Sequence, residues 1–133
     1  MTELKKITKI SLLAYGIVNI LYGPMFLFFP EFFIGLGVIT PTTNPYIMRF
    51  GGATLLGIAI FSFLIIIKKW EWERVKLAYE FLYYLLIVNI ILEPTKLLFG
   101  TPSELMISQT IMDIVIMGVL LVLGIYSYIK QQK

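Results

Sequence analysis

Neither cysteine nor histidine occurs among the 133 residues. The lack of cysteine excludes disulfides, thiol redox chemistry and thiolate metal sites within this chain. The lack of histidine removes histidine-ligated haem and the side chain best suited to proton transfer near neutral pH. Charge is scarce as well. Charged residues make up 14% of the chain, whereas hydrophobic residues make up 59%. Soluble domains average about 25% charged and about 45–50% apolar. A chain of this length, folded in water, would leave large apolar patches outside. Hydrocarbon as the surrounding medium removes that conflict.

What is present is a set of long apolar runs. A membrane-spanning helix needs about 20 mostly apolar residues. Ile10 to Phe29 meets this directly. Phe50 to Ile67 is a second uncharged run, Leu77 to Leu92 a third broken by Glu80, and Leu105 to Ile129 a fourth broken by Asp113. Open sheets cannot span lipid, and a closed barrel needs many alternating strands. The expectation is therefore an all-α, up-down-up-down bundle of four transmembrane helices forming one domain over residues 1–133. The expected helices cover roughly 8–29, 46–68, 74–93 and 103–130. The basic segment MTELKKITK before the first run resembles a signal peptide. The run is longer than a signal core, so it reads as a retained helix.

Punctuation supports these spans. Thr101-Pro102-Ser103-Glu104 reads as a capping box with Thr101 as the cap. Asn44-Pro45 opens the second span in the same way, and Pro30 and Pro94 follow the first and third. Pro24, inside the first span, predicts a bend or an early end. Nine of the eleven basic residues fall in the N-terminal segment (Lys5, Lys6, Lys9), the middle loop (Lys68, Lys69, Arg74, Lys76) and the tail (Lys130, Lys133). The positive-inside rule then places both termini and the middle loop in the cytoplasm of a multi-pass cell-membrane protein. Trp70 and Trp72 in KKWEWER read as an interfacial belt. The same run could alternatively dock a soluble partner or acidic lipid. Spread over three segments, the net charge of +3 reads as topology, so no nucleic-acid partner is expected.

Two further patterns stand out. Val18-Asn19-Ile20 before Pro24 repeats as Val88-Asn89-Ile90 before Pro94, and Gly51 and Gly57 repeat as Gly118 and Gly124. Duplicated parallel hairpins would produce this, as would chance matching of apolar helices. Gly51, Gly52, Ala53 and Gly57 give the second span a small-residue surface suited to close helix packing. The run FLFFPEFF reads as an aromatic segment at the outer interface, with a lipid-tail or quinone groove as the alternative.

The polar groups inside the spans carry the functional information. An aspartate at mid-helix costs about 2.5–3.5 kcal/mol on insertion scales. Asp113 should therefore face the bundle, with Gln109 four residues earlier on the same face. Asn89 and Glu93 make a similar pair on the third span, and Arg49 opens the second. The expected cluster is Arg49, Asn89, Glu93, Gln109 and Asp113 in the outer half, with the arginine between two carboxylates. It serves either as a structural lock between helices or as an outward-opening pocket for a small ligand, a proton or a quinone headgroup. Tyr15, Asn19, Tyr22 and Glu80 are additional polar contacts. Glu80 is expected to snorkel inward or to pair with Arg74 or Lys76.

The order of features resembles the DoxX-like group of small four-helix membrane proteins, which includes relatives of unknown function. The resemblance rests on Tyr15-Gly16, on Leu27-Phe28-Phe29-Pro30, on Arg49-Phe50-Gly51-Gly52-Ala53 and on the basic loop that follows. It implies a four-helix bundle and, for some members, association with sulfur-oxidising or quinone-linked redox complexes. It implies no catalytic residue. No catalytic, metal-binding or cofactor-binding residue is expected, and the expected partners are membrane lipid and a homo-oligomer or larger membrane complex. Three functions follow in order: a non-enzymatic accessory or assembly subunit, a binder or carrier of a small lipophilic molecule such as a quinone, and an oligomeric transporter or channel.

Overall fold

The computed structural model describes residues 2–39, 43–98 and 101–133. Among these residues five α-helices follow one another: α1 (Lys6–Phe28), α2 (Pro30–Gly35), α3 (Pro45–Ile67), α4 (Trp72–Leu92) and α5 (Glu104–Gln132). A 3-10 turn, Glu93–Leu97, continues α4. Four of these elements are long and apolar enough to cross a membrane: α1, α3, α4 with its 3-10 turn, and α5. The short α2 is the one helix outside the expected set.

Pro24 does not end α1, which runs on to Phe28. Pro30 instead starts α2, because a proline at the first helical position forfeits a hydrogen bond that the helix end lacks anyway. Asn44 caps α3, its side chain accepting from the Tyr46 amide at 2.9 Å, with Pro45 at the first helical position. The cap of α5 differs from the expected box. Ser103, not Thr101, accepts from the Met106 amide at 3.1 Å, and Glu104 is the first helical residue. The Ser103 hydroxyl also donates to the Gly37 carbonyl at 2.9 Å, so one side chain caps α5 and ties it to the segment after α2.

α1 is the hub. Its buried positions are Thr8, Ser11, Leu12, Tyr15, Gly16, Asn19 and Gly23, which form one stripe at helical spacing. Against α3 it packs backbone to backbone. A Cβ built on Gly52 would lie 2.5 Å from the Leu27 nitrogen and 2.6 Å from the Gly23 carbonyl oxygen. Where two helices gain little from apolar attraction, such closeness is what holds them. Gly51 and Gly57 take no part in this, because a Cβ on either meets nothing within 4 Å. The small-residue surface of α3 therefore reduces to Gly52.

Large aromatic residues fill the side of α1 toward α4 and α5. Tyr15 stacks on Tyr83, Tyr83 lies beside Tyr79, and Trp72 packs edge-on to Tyr79 and Tyr128. Trp72 is thus a core residue, 6% exposed. Trp70 packs against Phe61, with the Arg74 guanidinium 4.7 Å from its ring centre.

Both chain ends meet at one end of the bundle. Gln131, near the end of α5, accepts from the Lys5 amide at 2.7 Å and the Thr8 hydroxyl at 2.8 Å. Its amide nitrogen donates to the Glu3 carbonyl at 3.0 Å. Thr2 holds Glu73 at the start of α4 through its amide and hydroxyl. The Lys68–Glu71 turn joins α3 to α4 at the same end, and Lys69 adopts a left-handed conformation there (φ 49°).

Candidate functional site

The opposite end holds the charged cluster. Asp113 lies nine residues beyond Glu104, about 14 Å along α5. Its Oδ1 accepts from Gln109 Nε2 at 2.8 Å and from the Tyr22 hydroxyl of α1 at 3.1 Å. Its Oδ2 lies 3.6 Å from Lys96 Nζ, and Lys96 also pairs with Glu93 one turn earlier. Lys96, Glu93 and Asp113 retain 28%, 22% and 19% of their side-chain exposure. The cluster is shielded without being sealed.

Each part has a local cause. Glu93 and Pro94 begin the 3-10 turn, since proline cannot continue the α4 hydrogen-bond ladder. That tighter winding carries Lys96 back over Glu93 and toward α5. Gln109 and Asp113 stand four apart on α5 and so share a face. Tyr22 reaches them from α1 because α1 packs directly on α5.

The composition of this cluster corrects the expected one. Gln109, Glu93 and Asp113 do meet, and Tyr22 joins them. The cation is Lys96, not Arg49. Arg49 Nη2 instead holds Glu31 of α2 at 2.5 Å in an exposed ion pair. The reason is positional: α3 packs on α1, and Glu31 is the carboxylate that α2 presents beside it. Glu31 itself is held below the ordinary carboxylate range, first by its own backbone amide near the start of α2 and then by Arg49.

Asn89 is exposed and stands outside the cluster. Asn19, its counterpart in the repeat pattern, is 5% exposed and donates to the Tyr15 carbonyl at 2.7 Å. Of the paired glycines, Gly51 and Gly118 both face open space, whereas Gly57 faces open space and its counterpart Gly124 presses against the Tyr83 ring. The Asn19/Asn89 and Gly57/Gly124 pairs therefore do different work. Glu80 accepts a hydrogen bond from the Tyr128 hydroxyl of α5 and pairs with neither Arg74 nor Lys76.

Sequence reasoning missed a second polar assembly, nearer the chain ends. The Ser11 and Tyr83 hydroxyls share a short hydrogen bond, as do those of Tyr79 and Ser127. Tyr79 Oη lies 3.1 Å from Ser11 Oγ, joining the two pairs, and Ser127 donates to the Gly124 carbonyl at 2.9 Å. The Tyr15 hydroxyl donates to the Leu82 carbonyl at 3.2 Å. The signal was available in Ser11 and Ser127, small hydroxyls within uncharged helical runs. Among the described residues, no group of acidic side chains is arranged to hold a metal ion, and every buried side-chain nitrogen or oxygen has a partner.

No family model, curated protein or solved structure matches this chain.

Proposed function

We propose that this chain is a multi-pass protein of the cell membrane that works as a non-enzymatic accessory or assembly subunit. Its four spans run up-down-up-down with both termini in the cytoplasm, in the manner of the DoxX-like group that its sequence resembles. The end bearing the charged cluster is then the outer one. The carrying observation is that buried polar groups are partnered inside the molecule while a broad apolar flank is left outside. That division leaves the lateral surface as the place to meet another protein. α5 is the least covered span. Val115, Gly118, Val119, Val122, Leu123 and Tyr126 line an open groove of about 590 Å³ along it, broad enough for the side chains of a neighbouring helix.

Detergent-free extraction into polymer-bounded discs tests this reading. The expected particle is larger than one chain, and Gly118→Leu with Val122→Trp should return it to monomer size. A monomer at native abundance, unaffected by filling the groove, would refute the assignment.

A second reading is favoured by the partial exposure of Lys96, Glu93 and Asp113. Tyr22, Gln109 and Lys96 bring hydrogen-bond donors to one point, as a binder or carrier of a quinone headgroup requires. Under it, a quinone co-purifies with the wild type and is lost with Lys96→Leu, whereas Arg49→Leu has no effect.

A further inference from the structure

The two ends of the bundle treat their charges differently. At the cluster end both cations are paired, Arg49 with Glu31 and Lys96 with Glu93 and Asp113. At the chain-terminus end none of the nine lysines and arginines forms an ion pair among the described residues. Carboxylates stand near them in sequence, but two are engaged elsewhere: Glu73 by Thr2 and Glu80 by Tyr128. The positive charge at this end is left for something outside the chain to balance.

The corner between α3 and α4 presents three of these cations, Lys68, Lys69 and Arg74, all exposed. Arg74 lies over the Trp70 ring, which packs edge-on to Phe61 of α3 and so holds the guanidinium at the corner. Lys69 is the less expected residue. The Trp70 amide donates to the Ile65 carbonyl and the Lys69 amide to the Ile66 carbonyl, each at 3.2 Å. This pair of bonds closes a helix through a left-handed residue, a place that glycine usually takes. Lysine occupies it here at φ 49°, where glycine would sit without strain. A strained position that carries a long cationic side chain points to a use for that side chain. The surroundings say what it meets. Exposed apolar residues begin one position inward of the cations. Ile67 beside Lys68 and Leu77 beside Lys76 are 73% and 78% exposed, and Ile129 beside Lys130 is exposed as well. Cations set directly against bare apolar side chains match a phospholipid, which has a charged headgroup above acyl chains. An acidic soluble partner would answer the charge and leave the apolar flank unmet.

We propose that the α3–α4 corner is a docking site for an anionic phospholipid of the surrounding bilayer. The headgroup phosphate sits among Lys68, Lys69 and Arg74, and an acyl chain runs down past Ile67. Lysine and arginine hold phosphate oxygens through charge-assisted hydrogen bonds. Clustered basic residues beside a membrane span favour anionic over zwitterionic lipid. The proposal rests on the placement of the four spans in a membrane and not on the accessory-subunit reading.

The test uses the full chain in phosphatidylcholine vesicles that contain either brominated phosphatidylglycerol or an equal amount of brominated phosphatidylcholine. Bromine on a neighbouring lipid quenches Trp70, whereas Trp72 is buried in the core and changes little. The ratio of the two quenching efficiencies should show phosphatidylglycerol enriched beside Trp70 by about fivefold or more, the worth of a single cation near an anionic headgroup. Arg74→Gln and Lys69→Gly should each reduce the enrichment, and combining them with Lys68→Gln should abolish it. Lys130→Gln removes the same charge on α5 and should leave it in place. Lys69→Gly relieves the left-handed turn, so it folds at least as well as the wild type and decides the matter if the other variants do not fold. Equal quenching of the wild type by the two lipids would overturn the proposal and leave the corner to an acidic soluble partner. An enrichment that survives Lys69→Gly and Arg74→Gln in folded protein would overturn it too. Quenching by neither lipid would refute the membrane placement, and the proposal with it.

Discussion

Replacing Gly52 with alanine puts one methyl group into the α1–α3 crossing. Its carbon would lie 2.5 Å from the Leu27 nitrogen, 2.6 Å from the Gly23 carbonyl oxygen and 2.9 Å from the Phe26 carbonyl carbon. All three are backbone atoms, so no side chain can rotate away. Ordinary contact begins near 3.4 Å. The helices must therefore separate by roughly 1 Å, and neighbouring contacts lose a share of their dispersion energy across that gap. Overpacking of this kind costs about 1–3 kcal/mol. The closeness of two backbones points to the upper half of that range, or about a thirtyfold shift in the folded-to-unfolded ratio at 2 kcal/mol. Gly51→Ala supplies the control. A Cβ there meets nothing within 4 Å, so the change should be neutral, or stabilising by about 0.5–1 kcal/mol through helix propensity. Unfolding in mixed micelles, followed by Trp70 and Trp72 fluorescence, reads the difference. Equal stability of the two variants would refute the account of the crossing.

Gly124→Ala should destabilise by about 1–3 kcal/mol, because its Cβ would fall 2.0 Å from the buried Tyr83 ring; the cost should shrink in a Tyr83→Leu background, which a double-mutant cycle measures. Lys96→Met leaves Glu93 and Asp113 together without a cation and should cost about 1–2 kcal/mol, most of it recovered on adding Asp113→Asn, as micelle unfolding can show. The Glu31–Arg49 pair has a worked pH sign. The folded carboxyl is held below its ordinary value, so its contribution is complete above the ordinary carboxylate range and fades as pH falls through the lowered value. Hydrogen exchange in α2 should therefore accelerate only at acid pH, and Glu31→Gln should remove that dependence.

The spans were legible because length and apolar composition decide them with little help from tertiary context. The Asn44-Pro45 cap was legible for a related reason, since its hydrogen bond is local. Thr101-Pro102-Ser103-Glu104 misled because two residues in it can cap. Ser103 holds the position while also bonding Gly37, a partner 66 residues distant that no local pattern reveals. The polar cluster was half legible. Gln109 and Asp113 follow from helix periodicity, but the choice of Lys96 over Arg49 depends on α3 packing against α1 and on a 3-10 turn after Glu93. Asn89 joins the expected cluster through its four-residue spacing to Glu93, yet α4 turns that residue outward. The hydroxyl network of Ser11, Tyr79, Tyr83 and Ser127 joins α1, α4 and α5 and was not legible, because serine and tyrosine in apolar helices usually bond their own backbone or the interface.

The chain's lack of cysteine makes its placement in the membrane directly measurable, since any single introduced cysteine is the only thiol. In intact cells, a membrane-impermeant maleimide should label Glu31→Cys and Glu104→Cys. It should reach Glu71→Cys and Gln132→Cys only after permeabilisation, and Asn19→Cys should stay unlabelled in both. Labelling of Gln132→Cys from outside would contradict the assigned sidedness, and rapid labelling of Asn19→Cys would contradict a polar face of α1 enclosed by the other spans.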